Sequence, residues 1–157
     1  MNHAPYTAVI PAPPGRLGLL IEENRITKLS WLAPEYPLIS PATRKCREVA
    51  AALIDYFHDA SNLPRLALGL TGTDFQIRVW AALQQIPVGA SQSYGQLAGK
   101  LGTSSRAIGQ ACRTNPVAIL VPCHRVVSVQ GIGGYMGRAK QLQIKAWLLK
   151  HEGSCAI

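Results

Sequence analysis

A cysteine followed directly by a histidine, Cys123-His124, comes after Pro122 at the end of the apolar run Ala118-Ile119-Leu120-Val121. A thiol attacks carbon as its thiolate, and an unassisted cysteine, with a pKa of about 8.5, is only a few per cent ionised near neutral pH. An imidazole beside it is the side-chain type that takes a proton in that range. The pair therefore reads as an activated thiol at the mouth of a buried segment. The competing reading is a buried cysteine acting as a small hydrophobe.

The chain has 157 residues, enough for one domain or for two small lobes sharing a core. Hydrophobic residues make up 48% of it, yet no apolar run approaches the ~18 residues of a membrane span, so a membrane partner is not expected. Met1-Asn2-His3-Ala4-Pro5 lacks a basic stretch followed by an apolar core, and no secretory signal is expected. Cys46, Cys112, Cys123 and Cys155 follow neither a metal-ligand spacing nor a disulfide framework, so a reducing cytoplasm and no metal are expected. The net charge is +8 and unevenly spread. Residues 1–74 carry seven basic and seven acidic side chains, whereas Phe75 to His151 carry nine basic ones and no Asp or Glu. Glu152 is the only carboxylate side chain after Asp74. Such one-sided charge attracts a phosphate backbone, although basic halves also serve solubility alone.

Positioning elements follow from the pattern. Tyr6 to Ile10, Leu17 to Ile21 and Arg25 to Trp31 predict short strands parted by Pro13-Pro14-Gly15 and Glu22-Glu23-Asn24, an antiparallel meander. Ser40-Pro41 predicts a helix start, with Val49, Leu53, Tyr56, Phe57 and Ala60 on its apolar face and an end at Asn62 and Pro64. Leu66 to Leu70 is a further candidate strand. Gly72 marks a boundary, and Thr73-Asp74-Phe75-Gln76 forms a capping box ahead of a stripe of Phe75, Val79, Leu83 and Ile86. Ser93-Tyr94-Gly95-Gln96 repeats the box, Gly102 breaks that helix, and Thr103 or Ser104 caps the next, through Arg106 to Arg113. Two short helices across a glycine turn give a helix-turn-helix signal. The second is thin, with Ser105, Ala107, Gly109 and Ala111, which permits close approach to another surface, protein or DNA. Ala139 to Glu152 predicts a last amphipathic helix around Leu142, Ala146 and Leu149. The expected fold is α+β: an N-terminal lobe (1–72) with an antiparallel sheet and packing helix, a mostly helical C-terminal lobe (73–153) containing the helix-turn-helix, and a tail at 154–157.

Seven blocks in order carry a family resemblance: Phe75-Gln76-x-x-Val79-Trp80, Ile86-Pro87-x-Gly89, Ser93-Tyr94-x-Gln96-Leu97-Ala98, Arg106-Ala107-x-Gly109, Asn115-Pro116, Pro122-Cys123-His124-Arg125-Val126 and His151-Glu152-Gly153. With them the chain resembles the O6-alkylguanine-DNA alkyltransferases. The resemblance implies that Cys123 accepts the alkyl group, that His124 removes its proton through a water, and that Glu152 orients the histidine. It also implies that Asn115 ties the active-site turn to the helix pair and that Tyr94 donates a hydrogen bond to the purine. Arg106 would enter the minor groove and fill the gap left by the flipped base. Val126, Tyr135, Met136 and Cys112 would line the base pocket, and Ser93, Thr103, Ser104, Ser105, Ala107, Gly109 and Arg113 would face DNA. No cofactor is implied, nor the zinc set of some relatives; the partner is double-stranded DNA carrying O6-alkylguanine, met by a monomer.

That chemistry is coherent in itself. A saturated, soft alkyl carbon suits a thiolate, the purine leaves as an anion that a phenol donor would stabilise, and a base inside the stack must be extruded first. The product is a thioether, so each molecule acts once. Three other readings have distinct signatures. A non-catalytic sensor of alkylated DNA would lack the acceptor cysteine. A helix-turn-helix regulator would read the major groove with bulky polar side chains, and a Cys-His hydrolase would turn over.

Overall fold

The computed structural model describes residues 6–63, 65–135 and 141–154. They form an α+β structure of two compact units, one comprising residues 1–70 and 116–120 and the other 71–115 and 121–157.

In the first unit, strands β1 (Ala8–Ala12), β2 (Gly15–Glu22) and β3 (Arg25–Leu32) make an antiparallel sheet in the order β1-β2-β3. Pro13-Pro14 turns the first hairpin between the paired Ala12 and Gly15. Glu23 and Asn24 turn the second with φ of 50° and 62°, the positive values a two-residue hairpin of matching twist demands. Leu17 and Leu19 on β2 and Ile26, Leu29 and Trp31 on β3 are buried in the core, together with Val49, Ala50, Leu53 and Tyr56 of helix α1 (Arg44–His58). The helix does not start at Ser40-Pro41. Ile39 exchanges both backbone hydrogen bonds with Val9, which keeps the chain extended there, and the Thr43 side chain instead caps the helix by accepting from the Cys46 amide. At the other end α1 stops at His58, and a single 3-10 turn, Ala60–Asn62, follows. The candidate strand at Leu66 to Leu70 reduces to one parallel bridge between Leu68 and Ile26.

Both expected capping boxes are present in the second unit. Thr73 and Gln76 open α2 (Asp74–Leu83), and Ser93 and Gln96 open α3 (Tyr94–Leu101). The indole of the buried Trp80 donates to the Ala111 carbonyl at 2.9 Å, which fixes α2 against α4 (Ser105–Arg113). Ser104 is the residue that caps α4, its hydroxyl accepting from the Ala107 amide. Strand β4 (Gln92–Ser93) pairs in parallel with β5 (Val126–Val127), which directly follows the 3-10 turn Cys123–Arg125. The last helix, α5 (Leu142–His151), buries Lys145, Leu148 and Leu149; of the expected stripe only Leu149 is buried. The expected start at Ala139 and most of the expected tail lie outside the described residues.

The division differs from a simple cut near residue 72. Leu29 donates its amide to the Pro116 carbonyl and accepts from the Ala118 amide, so residues 116–120 join the sheet of the first unit before the chain returns.

Two glycines close together in α3 and its exit should respond oppositely to alanine. Gly102 sits at φ 65° with open space around its Cα, so Gly102→Ala should cost about 1 kcal/mol from the left-handed backbone alone. Gly99, inside the helix and equally unobstructed, should gain about 0.5–1 kcal/mol as Gly99→Ala. Urea unfolding of the two variants checks the signs.

Candidate active site

Cys123, His124 and Arg125 occupy one buried 3-10 turn, and Pro122 (φ −82°, ψ 65°) enters it through a three-residue turn in which the Cys123 amide donates to the Val121 carbonyl at 2.8 Å. A second such turn lies just upstream, where the Leu120 amide donates to the Ala118 carbonyl at 2.8 Å around Ile119. Ile119 has φ 70°, a left-handed value that costs a β-branched residue about 1–3 kcal/mol. The backbone leading to the cysteine is therefore strained. Asn115 braces its far end: the buried amide donates to the Val121 carbonyl at 2.7 Å and to Cys123 Sγ at 3.2 Å.

Glu152 lies at the C-cap of α5 with its side chain fully buried. Arg125 grips it as a fork, Nε to Oε1 at 2.8 Å and a terminal nitrogen to Oε2 at 2.9 Å, and donates its remaining nitrogen to the Ile86 carbonyl. His124 Nε2 meets Oε2 at 3.0 Å. Burial alone would raise the Glu152 carboxyl, but the hydrogen bonds from His124 and Arg125 outweigh it and hold the group well below the usual carboxylate range. An ionised carboxylate only accepts, so Nε2 must carry the proton of a neutral His124. The lone pair then falls on Nδ1, a buried atom with no hydrogen-bond partner on the protein among the described residues. Burial also lowers the His124 pKa against the opposing pull of Glu152, which keeps the ring neutral.

The thiol is not a standing thiolate. Burial pushes Cys123 up to about 11, only partly offset by the Asn115 hydrogen bond and the charge of Lys145. The sulfur therefore keeps its proton at rest. Cys112, buried near it, is raised as well, by burial first and then by Cys123. Tyr94 is pushed up to about 12 by burial, with Cys112 and Cys123 adding to the effect, so it remains a donor, and its hydroxyl rests 3.4 Å from the Gly134 carbonyl. Gly133 is required beneath that ring, because a Cβ there would lie 2.9 Å from the Tyr94 ring edge.

A cavity of about 450 Å³ is lined by Tyr94, Arg106, Gly109, Gln110, Cys112, Arg113, Gly134 and Tyr135. An adjoining groove brings Ser93 and Ser105 together with Tyr94, Arg106, Gly109 and the exposed Val129. Thr103, Ser104 and Ala107 line neither; Ser104 and the Ala107 amide are engaged in the helix cap. Val126 is fully buried in β5 and lines neither, and Met136 lies outside the described residues. Among the described residues no three His, Cys, Asp or Glu side chains are grouped to hold a metal ion, and no helix is long and apolar enough to cross a membrane.

Sequence reasoning gave no role to Arg125, Gln110 or Lys145. Lys145 left a signal: it stands three residues after Leu142 and four before Leu149, on the helix face expected to be apolar. Nothing local marks Arg125 as the partner of Glu152, 27 residues away.

In comparisons with known proteins, residues 74–154 match the family model described as 6-O-methylguanine DNA methyltransferase, DNA binding domain. Over 158 aligned residues the chain is 36% identical to the methylated-DNA–protein-cysteine methyltransferase of Methanosarcina acetivorans, covering 96% of this chain and 99% of that protein. The constitutive methylated-DNA–protein-cysteine methyltransferase of Bacillus subtilis is 35% identical, with 94% of each covered. Among solved structures, Mycobacterium tuberculosis OGT in complex with DNA superposes with a TM-score of 0.78 at 37% identity, covering 92% of this chain and 91% of that one.

The buried cluster should set acid stability. His124 has its folded pKa below the ordinary 6.5 and Glu152 below the ordinary 4.5, so each binds more protons unfolded than folded in acid. Their contributions are complete above those ordinary values and are lost as pH falls, His124 first. Melting temperature should therefore drop from about pH 6.5 downward. Glu152→Gln should lose about 3–5 kcal/mol at neutral pH, because Arg125 is left buried without its anion, and should show a shallower decline below pH ~4.5. Thermal unfolding against pH measures both; an unchanged slope in the variant would assign the acid loss to other groups.

Proposed function

The chain belongs to the O6-methylguanine-DNA methyltransferase family, and from that premise we propose that it is a direct-reversal DNA repair protein in which Cys123 takes the alkyl group from O6-alkylguanine. The observation that carries the reading is the tautomer forced on His124. With Nε2–H committed to Glu152, the basic Nδ1 is the ring atom left to accept a proton in the turn that holds Cys123.

The two helices α3 and α4 act as a helix-turn-helix against the duplex. Small residues at Ala107 and Gly109 let the backbone of α4 come close, and the exposed Arg106 at the cavity mouth enters the minor groove as the damaged nucleotide turns out. The guanine enters the cavity walled by Tyr94, Cys112 and Tyr135. The Cys123 proton passes through a water to His124 Nδ1, and Glu152 stabilises the imidazolium that results. A bond forms between sulfur and the alkyl carbon while the carbon–O6 bond breaks, its electron pair leaving with the purine. Tyr94 donates its hydroxyl proton toward that developing anion, where a preplaced donor is worth most. Asn115 keeps the sulfur aimed through its bond to Sγ. O4-alkylthymine, with an equivalent carbon on oxygen, is a second substrate of the same chemistry. The thioether ends the reaction, so one monomer repairs one lesion and needs no cofactor.

Incubation with duplex DNA containing O6-methylguanine should add one methyl group per protein molecule, on the peptide holding Cys123, and restore guanine. Intact-mass and peptide mass spectrometry read this directly, and an adduct that persists in Cys123→Ala would overturn the assignment. A sensor would bind without any adduct, and a hydrolase would release product repeatedly. Arg106→Ala should slow repair in duplex by about tenfold or more, the equivalent of ~1.4 kcal/mol of extrusion energy, while attack on free O6-methylguanine changes by less than about twofold. Equal losses on both substrates would remove Arg106 from the flipping step.

A further inference from the structure

The face of α4 assigned above to the duplex is thin except at three positions. Ser105, Ala107 and Gly109 carry little side chain, whereas Arg106, Gln110 and Arg113 are long, exposed and line the same cavity. Spacings of three and four residues put these three on one side of the helix. Two of them are cations, with a clear use beside phosphates. Gln110 is neutral, and the transfer chemistry gives it no role. Its backbone carbonyl accepts from the Thr114 amide and hydroxyl, each at 3.2 Å, so the helix is intact there. Its side-chain amide has no hydrogen-bond partner among the described residues.

A glutamine on an exposed helix is ordinarily only a good helix former. Two features set this one apart. Bare positions such as Ala107 and Gly109 let a backbone approach a surface, and a long side chain directly beside them holds that surface off unless it makes a contact of its own. Gln110 also lies four residues from Arg106, about 6 Å along the helix axis, against a spacing of ~3.4 Å per base. With the Arg106 guanidinium in the gap left by the extruded nucleotide, the Gln110 amide falls within two base pairs of that gap, on sequence that flanks the lesion. The amide carries one acceptor oxygen and two donor hydrogens. The minor groove presents acceptors at A·T and G·C pairs alike, but a donor only at the guanine 2-amino group. A glutamine can therefore donate to any pair, and can donate and accept together only at G·C. Arg106 and Arg113 have no acceptor at all, so neither can sense that amino group.

We propose that Gln110 is a specificity-determining residue that reads the base pair beside the lesion from the minor groove. Its amide oxygen accepts from a guanine 2-amino group while its NH2 donates to an acceptor of the same pair. Alkylguanine next to a G·C pair is then repaired faster than alkylguanine next to an A·T pair. This rests on the reading that Cys123 takes the alkyl group while Arg106 fills the gap in the duplex. No bond to Gln110 is made or broken in the transfer, and its effect is on how tightly the flanking duplex is held.

The test uses duplexes that differ only in the pairs flanking O6-methylguanine. These are G·C, A·T, inosine·C, which lacks the 2-amino group, and 2,6-diaminopurine·T, which adds that group to an A·T-like pair. Single-turnover methyl transfer at sub-saturating duplex is measured for the wild type, Gln110→Ala and Gln110→Met. The wild type should repair the G·C and diaminopurine duplexes faster than the A·T and inosine duplexes by about fivefold or more. In both variants the ratio should fall below about twofold. Methionine keeps the bulk of the side chain and removes its hydrogen bonds, so loss of the ratio in that variant assigns the preference to the amide and not to its size. A ratio that persists in the variants belongs to the deformability of the flanking DNA and overturns the proposal. A wild type that treats the inosine and G·C duplexes alike overturns it as well. Equal losses in the variants on duplex and on free O6-methylguanine would set Gln110 against the extruded base itself, with the same result. A wild type that forms no Cys123 adduct on any duplex refutes the transfer reading, whereas an adduct formed equally fast on all of them refutes only the reading of the flanking pair.

Discussion

Glu152 places one negative charge in the interior of the second unit and divides it between a guanidinium fork and an imidazole nitrogen. The remaining features of the site depend on that division. The fork and the Ile86 carbonyl engage all three guanidinium nitrogens of Arg125, which could not otherwise be buried. The imidazole contact settles where the His124 proton resides and hence which ring atom is basic. A carboxylate at the C-terminal end of a helix is mildly opposed by the helix dipole. Its position at the C-cap of α5 therefore owes nothing to helix stability and is explained by the two partners it holds.

Cys123 is held in the same manner, by backbone geometry that would not persist alone. Two successive three-residue turns, the first around a left-handed Ile119, bring the chain to Cys123, and Asn115 pins Val121 and the sulfur with a single amide. Strain of this kind survives only where surrounding contacts overdetermine it. Residues 117–119 and 121 are fully buried, and Leu29 fastens residues 116 and 118 in place through its backbone. A flexible loop could carry the same cysteine, but not with its sulfur at a fixed distance from an amide donor.

The parts of this arrangement that were legible in the sequence are those governed by local rules. The capping boxes at Thr73 and Ser93 and the helix stop at Gly102 depend on residues no more than three or four apart, and each is present as expected. Glu152 was singled out because no other carboxylate follows Asp74, a fact of composition. Where distant backbone competes, local rules lose. Ser40-Pro41 is a sound helix start that is overridden when Val9 takes both backbone bonds of Ile39. The bond of Arg125 to Ile86, the fork on Glu152 and the positive φ of Ile119 are likewise settled by partners remote in sequence or by tertiary packing. Lys145 is intermediate, since its place on an apolar face was visible while the carbonyls that justify it were not.

Among the described residues, the excess of positive charge after residue 75 also separates into two populations. Arg78, Lys100, Arg106, Arg113 and Lys150 are exposed and form the part of the excess that a phosphate backbone can meet. Arg125 and Lys145 are buried and contribute nothing to a surface footprint. Set against the single anion of Glu152, and with His124 neutral, these two leave the interior with one positive charge in surplus. An apolar core would have no use for that surplus. Any anion formed beside these side chains would meet that surplus, whereas the low dielectric that keeps Cys123 protonated at rest opposes a charge that has no partner. Burial and the Lys145 ammonium thus act in opposite senses on a negative charge in this interior: the first penalises it, and the second offsets the penalty.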